Sequence, residues 1–92
     1  MPFALGHLVM TRGVADLAAR DSNFAAVLTD LLRRHIMGDW GDLCPEDKAA
    51  NDQALETGGR LFSAYHLKSG VKVWLITEAD RSVTTFLFPE EY

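Results

Sequence analysis

The chain has 92 residues, of which 48% are apolar, and it carries a formal net charge of −4. This length allows one modest hydrophobic core and predicts a single α+β domain over residues 1–92. The apolar content excludes a disordered chain, and the scattered basic residues form no surface for direct binding of nucleic acid.

The sequence also predicts neither a membrane-spanning segment nor a metal site. No apolar run reaches the roughly 20 residues that cross a bilayer, and the N-terminus lacks the pattern of a signal peptide. We therefore predict a cytoplasmic protein. Cys44 is the only cysteine, so an internal disulfide is excluded, and no paired-cysteine metal signature is present. The sequence predicts neither a cofactor nor a metal ion.

The N-terminal half of the chain shows one strand pattern followed by two helical patterns. Residues 3–11 predict a short strand that joins the edge of a sheet. Apolar residues at helical spacing predict about two helical turns over residues 14–20. Good N-cap residues at positions 21–23 precede a longer helix, whose apolar stripe covers residues 24–36. Gly38 is its stop signal.

A polar loop and a third helix follow. Residues 38–43 contain two glycines and an aromatic residue between two acids, a composition that favours a specific role over an idle linker. Pro45 suits the first position of a helix, and Glu46 and Asp47 suit the positive end of its dipole. The helix ends at the glycines 58–59. Its apolar face is thin, so we expect it to cover an edge of the core.

The last third of the chain predicts three consecutive strands over residues 60–67, 71–77 and 83–88, joined by polar turns. Together with the helices, they predict an α+β fold. We expect an antiparallel sheet of three strands, or four with the N-terminal one, with two or three helices packed on one face.

A polar group in the middle of the sequence is a candidate catalytic site. It consists of His35, Asp39 and Asp42 around Trp40. A histidine beside carboxylates can act as a general base, but the spacing matches no standard metal signature. His35 also lies in the last turn of its helix, where the dipole favours a positive side chain without any chemistry. The sequence therefore leaves catalysis as an open question and favours a non-enzymatic protein.

Aromatic and charged residues form a candidate protein-binding surface. Trp40, Phe62, Tyr65 and Trp74 are of the kind that anchors interfaces. Strand alternation places Trp74 on the face opposite Val73 and Leu75, so if the helices cover those residues, Trp74 is partly exposed and is the preferred anchor. The polar tip of the last hairpin is either ordinary turn chemistry or a recognition loop. The predicted binding residues are Asp39, Trp40, Asp42, Trp74, Glu78, Asp80 and Arg81.

Several stretches also carry a resemblance to known proteins. They are His35 through Leu43, Glu46-Asp47-Lys48 with Asn51-Asp52, Ser63-Ala64-Tyr65, Trp74 through Thr85, and Pro89-Glu90-Glu91-Tyr92. On these stretches the chain resembles a family of small uncharacterised bacterial proteins of plasmids, phages and integrated elements, some of which carry the label of type I restriction endonuclease subunit M. The sequence has no glycine-rich loop for a methyltransferase cofactor, so the resemblance implies a mobile-element setting rather than that activity.

The expected function follows from this setting together with small size and the lack of a catalytic signature. We expect a mobile-element accessory protein that acts as a non-enzymatic protein-binding module. The partner is another protein, and a host defence complex would make the chain an anti-CRISPR or anti-restriction inhibitor. Two alternatives stay open. One is a small enzyme that uses His35 with Asp39 or Asp42, and the other is a homodimer with a structural or regulatory role in plasmid upkeep.

Overall fold

The computed structural model describes residues 3–92, which form one four-stranded sheet with three α-helices. In chain order the elements are β1 (His7–Met10), α1 (Arg12–Arg20), α2 (Ser22–Ile36), α3 (Pro45–Thr57), β2 (Leu61–His66), β3 (Lys72–Thr77), β4 (Val83–Leu87) and a 3-10 helix (Pro89–Glu91). The predicted α+β fold, with helices packed on one face of the sheet, is confirmed.

The sheet has the strand order β1-β4-β3-β2 and is mixed rather than antiparallel. The three C-terminal strands form the predicted antiparallel meander. The N-terminal strand does join the edge, but it runs parallel to β4, from His7 opposite Val83 to Met10 opposite Phe86. An all-antiparallel sheet is therefore the wrong prediction for β1. Three helices and two strands separate β1 from β4 along the chain, so the two strands are not joined by a hairpin and can pair in the parallel direction.

The two faces of the sheet differ because only one of them carries α1 and α2. We call this side the helix-covered face and the other side the open face. α2 begins as predicted, because the Asp21 side chain accepts hydrogen bonds from the amides of Asn23 and Phe24 at 3.0 and 3.2 Å. The core between α1, α2 and the sheet consists of Val14, Phe24, Leu28, Leu31, Tyr65, Val73, Leu75 and Phe86. Burying each large apolar side chain there contributes roughly 1.5–3 kcal/mol before the entropy cost is counted.

α3 lies at the β2 edge of the sheet. It begins at Pro45 and stops at Gly58, which has a φ of 88° that favours glycine. Its buried Ala54 packs with Trp40 and Leu61 in a second, smaller core cluster. None of the α-helices between residues 3 and 92 combines the length and the apolar character needed to span a membrane.

The outer edge of β2 is closed by hydrogen bonds from the chain itself. The side-chain amide of Asn51 on α3 accepts from the Phe62 amide at 3.1 Å and donates to the Phe62 carbonyl at 2.6 Å. Two residues further along the edge, the Ala64 amide donates to the Trp40 carbonyl at 3.2 Å, and the Asp42 amide donates to the Ala64 carbonyl at 2.7 Å. This edge is therefore blocked to another strand.

Replacing Asn51 with Ala removes both hydrogen bonds to Phe62 and should lower the free energy of unfolding by about 1–3 kcal/mol. Urea unfolding followed by circular dichroism measures this loss. Gln53→Ala, at an exposed position of the same helix, is the matched control and should stay within about 0.5 kcal/mol of the parent. Equal midpoints for the two variants would contradict the role of Asn51.

Candidate functional site

The open face of the sheet carries a concave site that we call the aromatic groove. Five side chains line it, and its volume is about 340 Å³. Because side chains alternate along a strand, β2 and β3 place Phe62, Trp74 and Ile76 on the same face, opposite the helices. Arg60 stands at the start of β2, and Tyr92 reaches the groove from the C-terminus.

The aromatic rings of the groove hold one another in edge-to-face contacts. The ring centroids of Phe62 and Trp74 are 4.9 Å apart at an interplanar angle of 84°. Those of Trp74 and Tyr92 are 5.7 Å apart at 65°. Such pairs add stabilisation beyond the area that they bury. Trp74 remains partly exposed and Tyr92 is 70% exposed, so the groove offers rigid aromatic surface to a ligand.

A charged pair forms one end of the groove. The Arg60 Nη1 donates to the Tyr92 hydroxyl at 3.2 Å, and the guanidinium lies 5.7 Å from the centroid of that ring. The Arg60 Nε lies 3.7 Å from Oε1 of Glu78, and both side chains are nearly half exposed. An exposed ion pair of this kind contributes little to stability. Glu78, a predicted binding residue, therefore lies beside the groove in a pair that a partner can rearrange at low cost.

Comparison with known proteins finds no relative of this chain. No protein-family model matches the chain, and neither the curated proteins nor the solved structures contain a significant match. The roles of the residues are therefore argued from their contacts alone.

Trp40 lies inside the protein and not on a binding surface. Its side chain is only 3% exposed, and its indole Nε1 donates to Oδ1 of Asp52 at 2.9 Å. The prediction that Trp40 is an exposed anchor is wrong, because the ring fills the space between α3 and β2 against Leu61. Tyr65, also considered for the aromatic surface, is fully buried on the helix-covered face. Burial raises the pKa of its hydroxyl to about 12.

The two acids that flank Trp40 bind other parts of the same chain. Asp39 accepts two hydrogen bonds from the Arg34 guanidinium, at 2.7 and 3.2 Å, and this pairing lowers the pKa of its carboxyl. Asp42 accepts from the backbone amide of His66 at 2.8 Å and so completes the closed edge of β2. Both carboxylates are half exposed, but their hydrogen bonds hold the loop against α2 and the sheet.

The last two predicted binding residues, Asp80 and Arg81, lie at the hairpin tip and point in different directions. Asp80 stays exposed, and hydrogen bonds from the side chain and backbone amide of Ser82 lower the pKa of its carboxyl. Arg81 turns inward, with Nη1 donating to the Gly59 carbonyl at 2.7 Å and Nη2 donating to the Ala54 carbonyl at 3.2 Å. Its φ of 61° lies in the left-handed region. Arg81 therefore fastens the hairpin to the end of α3, where the helix dipole favours a cation.

His35 lies at the centre of a buried hydrogen-bond chain that runs from Ser63 to the carbonyl of Leu5. The ring Nδ1 is 2.5 Å from the Ser63 hydroxyl, and Nε2 is 2.9 Å from the Thr77 hydroxyl. The Thr77 and Thr84 hydroxyls are 2.7 Å apart, and the Thr84 hydroxyl donates to the Leu5 carbonyl at 2.8 Å. The chain thus joins α2 to three strands and to the N-terminal segment.

The direction of every proton in this chain follows from its last acceptor. The carbonyl of Leu5 can only accept, so the single proton of Thr84 points to it, and Thr77 must donate to Thr84. His35 then donates from Nε2 to Thr77 and accepts from Ser63 at Nδ1. Nδ1 accepts because the ring is neutral, since burial lowers the pKa of His35 to about 4.

The three candidate catalytic residues do not share a site. His35 is 0% exposed and bonds two hydroxyls, whereas Asp39 pairs with Arg34 and Asp42 with a backbone amide. Ser63 does lie beside His35, but it is equally buried and out of reach of a substrate. Among residues 3–92, no group of three His, Cys, Asp or Glu side chains is placed to hold a metal ion.

Four groove residues were not among the predicted binding residues, namely Arg60, Phe62, Ile76 and Tyr92, although Phe62 was named as a possible aromatic anchor. Strand alternation carries a signal for Ile76, because it stands two positions after Trp74 and so shares its face. Arg60 and Tyr92 carry no such signal. Tyr92 reaches the groove only because the 3-10 helix after β4 turns the C-terminus back over β3.

Lowering the pH should destabilise the fold through His35. Below pH 6.5 the unfolded chain protonates this histidine, while the folded chain resists protonation down to about pH 4. The free energy of unfolding should therefore fall between these values, by about 3 kcal/mol in all. Subtracting the pH curve of His35→Asn from that of the parent isolates this contribution. Gln53→Ala, at an exposed uncharged residue, should leave the slope intact, and a flat difference curve would contradict the prediction.

Two substitutions of Arg81 separate the contribution of its hydrogen bonds to stability from the cost of its backbone strain. Arg81→Ala should lower the free energy of unfolding by about 2 kcal/mol, because the bonds to Ala54 and Gly59 are lost while the left-handed φ is kept. Arg81→Gly loses the same bonds but relieves the backbone, so it should be about 1 kcal/mol more stable than the Ala variant. Chemical denaturation measures both. A Gly variant less stable than the Ala variant would refute the assignment of strain.

Proposed function

We propose that this protein is a non-enzymatic binding module that holds an apolar side chain of a partner protein in the aromatic groove. The observation that carries this proposal is the open face of the sheet, where Phe62, Trp74 and Tyr92 surround a concavity that no α-helix of residues 3–92 covers. Exposed Trp and Tyr side chains are typical anchors of protein interfaces.

The chemistry of the groove defines what fits in it. The surface that lines it is mainly apolar, from Phe62, Trp74 and Ile76, and its one charged end is the Arg60–Glu78 pair. A leucine, methionine or phenylalanine side chain of a partner would displace water from the apolar part. A polar group next to that side chain would bind Arg60 or Glu78. Because the rings already pack on one another, little side-chain entropy is lost on binding.

The partner class comes from the mobile-element setting that the sequence resemblance implies. In that setting we propose that the partner belongs to a host defence complex of the CRISPR or restriction type, which the protein inhibits by occupying a surface. No catalytic residue is required for this action. The buried state of His35 supports the proposal against the enzymatic alternative, because the best general-base candidate has no access to a substrate.

The proposal is tested by transforming a targeted plasmid into bacteria with an active CRISPR or restriction system that express the protein. Expression should raise the transformation frequency. Trp74→Ala should abolish this effect, because loss of a central aromatic anchor costs about 2 kcal/mol or more of binding free energy, a roughly 30-fold weaker complex. Affinity capture of subunits of the complex should decline in parallel.

The matched control is Met37→Ala, which removes a side chain that is 66% exposed and lies outside the groove. This variant should inhibit and capture as the parent does. Circular dichroism spectra should agree among all three proteins, so that unfolding is excluded as a cause. Equal activity of Trp74→Ala and the parent would overturn the assignment of the groove. Absence of protection in every system would overturn the proposed partner class.

A further inference from the structure

The second edge of the sheet, formed by β1, is open where the β2 edge is closed. The amides of His7 and Thr11 donate to the carbonyls of Ser82 and Phe86, both at 3.0 Å. Backbone groups alternate along a strand, so those of Leu8 and Met10 point away from β4. Between Phe3 and Tyr92 the structure shows no hydrogen bond to these outward groups.

The side chains of this strand are as unprotected as its backbone. Leu8, Val9 and Met10 are 50%, 42% and 49% exposed. Proteins usually defend an edge strand by keeping it short, or with a lysine, a proline or a bulge; β1 is short, at four residues, but it has none of the other features. An apolar, uncharged edge has no like charges that would prevent it from pairing with a copy of itself.

We propose that two copies of this chain pair through β1 in antiparallel orientation and form a two-fold symmetric dimer. The outward backbone groups place Leu8 and Met10 at hydrogen-bonded positions, and the register centred on Val9 is the one that pairs both residues within the strand. Leu8 of each copy stands opposite Met10 of the other and exchanges two hydrogen bonds with it. Val9 lies on the two-fold axis, opposite the same residue of the second copy, at a position without hydrogen bonds. The interface is thus self-complementary, as a two-fold dimer requires.

The side chains of the paired strands fit this register. Leu8 and Met10 lie on the helix-covered face beside a shallow groove of about 190 Å³, which is also lined by Ala25, Leu32 and Phe86. In the dimer, Met10 of the second copy stands next to Leu8 and extends this apolar surface. Val9 of the two copies meets on the open face. Three of the exposed large apolar side chains are therefore covered by one contact.

The difference between the two edges limits the assembly to two chains. Pairing through β1 gives one continuous eight-stranded sheet whose outer strands are the two copies of β2. Asn51, the Trp40 to Asp42 backbone and the Asp42 carboxylate close that edge. Growth into a fibre is blocked, and the dimer presents both aromatic grooves on the same side of the sheet. A dimer with two grooves binds more tightly to a partner that carries two or more copies of the recognised site.

Sedimentation equilibrium of the full chain tests the dimer. The parent should sediment at twice the 10.2 kDa of one chain. Val9→Lys and Val9→Glu should each sediment as a monomer, because like charges meet on the two-fold axis. An equimolar mixture of the two variants should return to the dimer mass, because Lys then faces Glu. This rescue cannot result from misfolding of either variant.

Met37→Lys, a charge added at an exposed apolar residue away from β1, should leave the dimer mass unchanged. A parent that sediments at 10.2 kDa up to its highest soluble concentration overturns the proposal. A dimer that persists in both single variants does so as well, since it must form through another surface. The binding proposal for the aromatic groove is tested separately through Trp74, so either proposal can fail without the other.

Discussion

The arrangement of this protein depends on the buried hydrogen-bond chain that passes through His35. Polar groups between a helix and a sheet are costly unless every donor and acceptor finds a partner. Here a hydroxyl from β2, β3 and β4 in turn, together with the carbonyl of Leu5, satisfies the ring and its neighbours. Within residues 3–92 no buried side-chain nitrogen or oxygen lacks a partner. This network specifies where α2 lies on the sheet, because a shift of either would leave buried polar groups unpaired.

Because α2 is held in this position, the two faces of the sheet carry different groups of residues. The helix-covered face takes the polar network and the larger core, and Tyr65 is buried there. The open face keeps Phe62 and Trp74, whose rings support each other instead of packing under a helix. The two edges of the sheet also differ in how their backbone groups are hydrogen-bonded. α3 and the loop before it close β2, whereas no group between residues 3 and 92 forms a hydrogen bond with the outward backbone of β1. The groove and the open edge are the surfaces that the fold leaves for other molecules.

The sequence predicted the elements well because their signals are local. Asp21 caps α2, Pro45 begins α3 and Gly58 ends it, and each acts within a few residues of its own position. The site was predicted less well. Trp40 and Trp74 were both predicted to bind a partner, with Trp74 preferred, yet Trp40 fills a core cluster and only Trp74 lies in the groove. Arg81 looked like a surface residue at a hairpin tip, but the carbonyls that it binds belong to a distant helix end.

By itself, the sequence determined the α+β class, the meander of the last three strands and the placing of Trp74 on the face opposite Val73 and Leu75, because periodicity and alternation are properties of neighbouring residues. Only the tertiary structure decided the parallel direction of β1, the burial of His35 and Trp40, the inward turn of Arg81 and the place of Tyr92 over the sheet. Each of these depends on which segments far apart in the chain meet. Such meetings are set by the packing of the whole molecule and leave no mark in local composition.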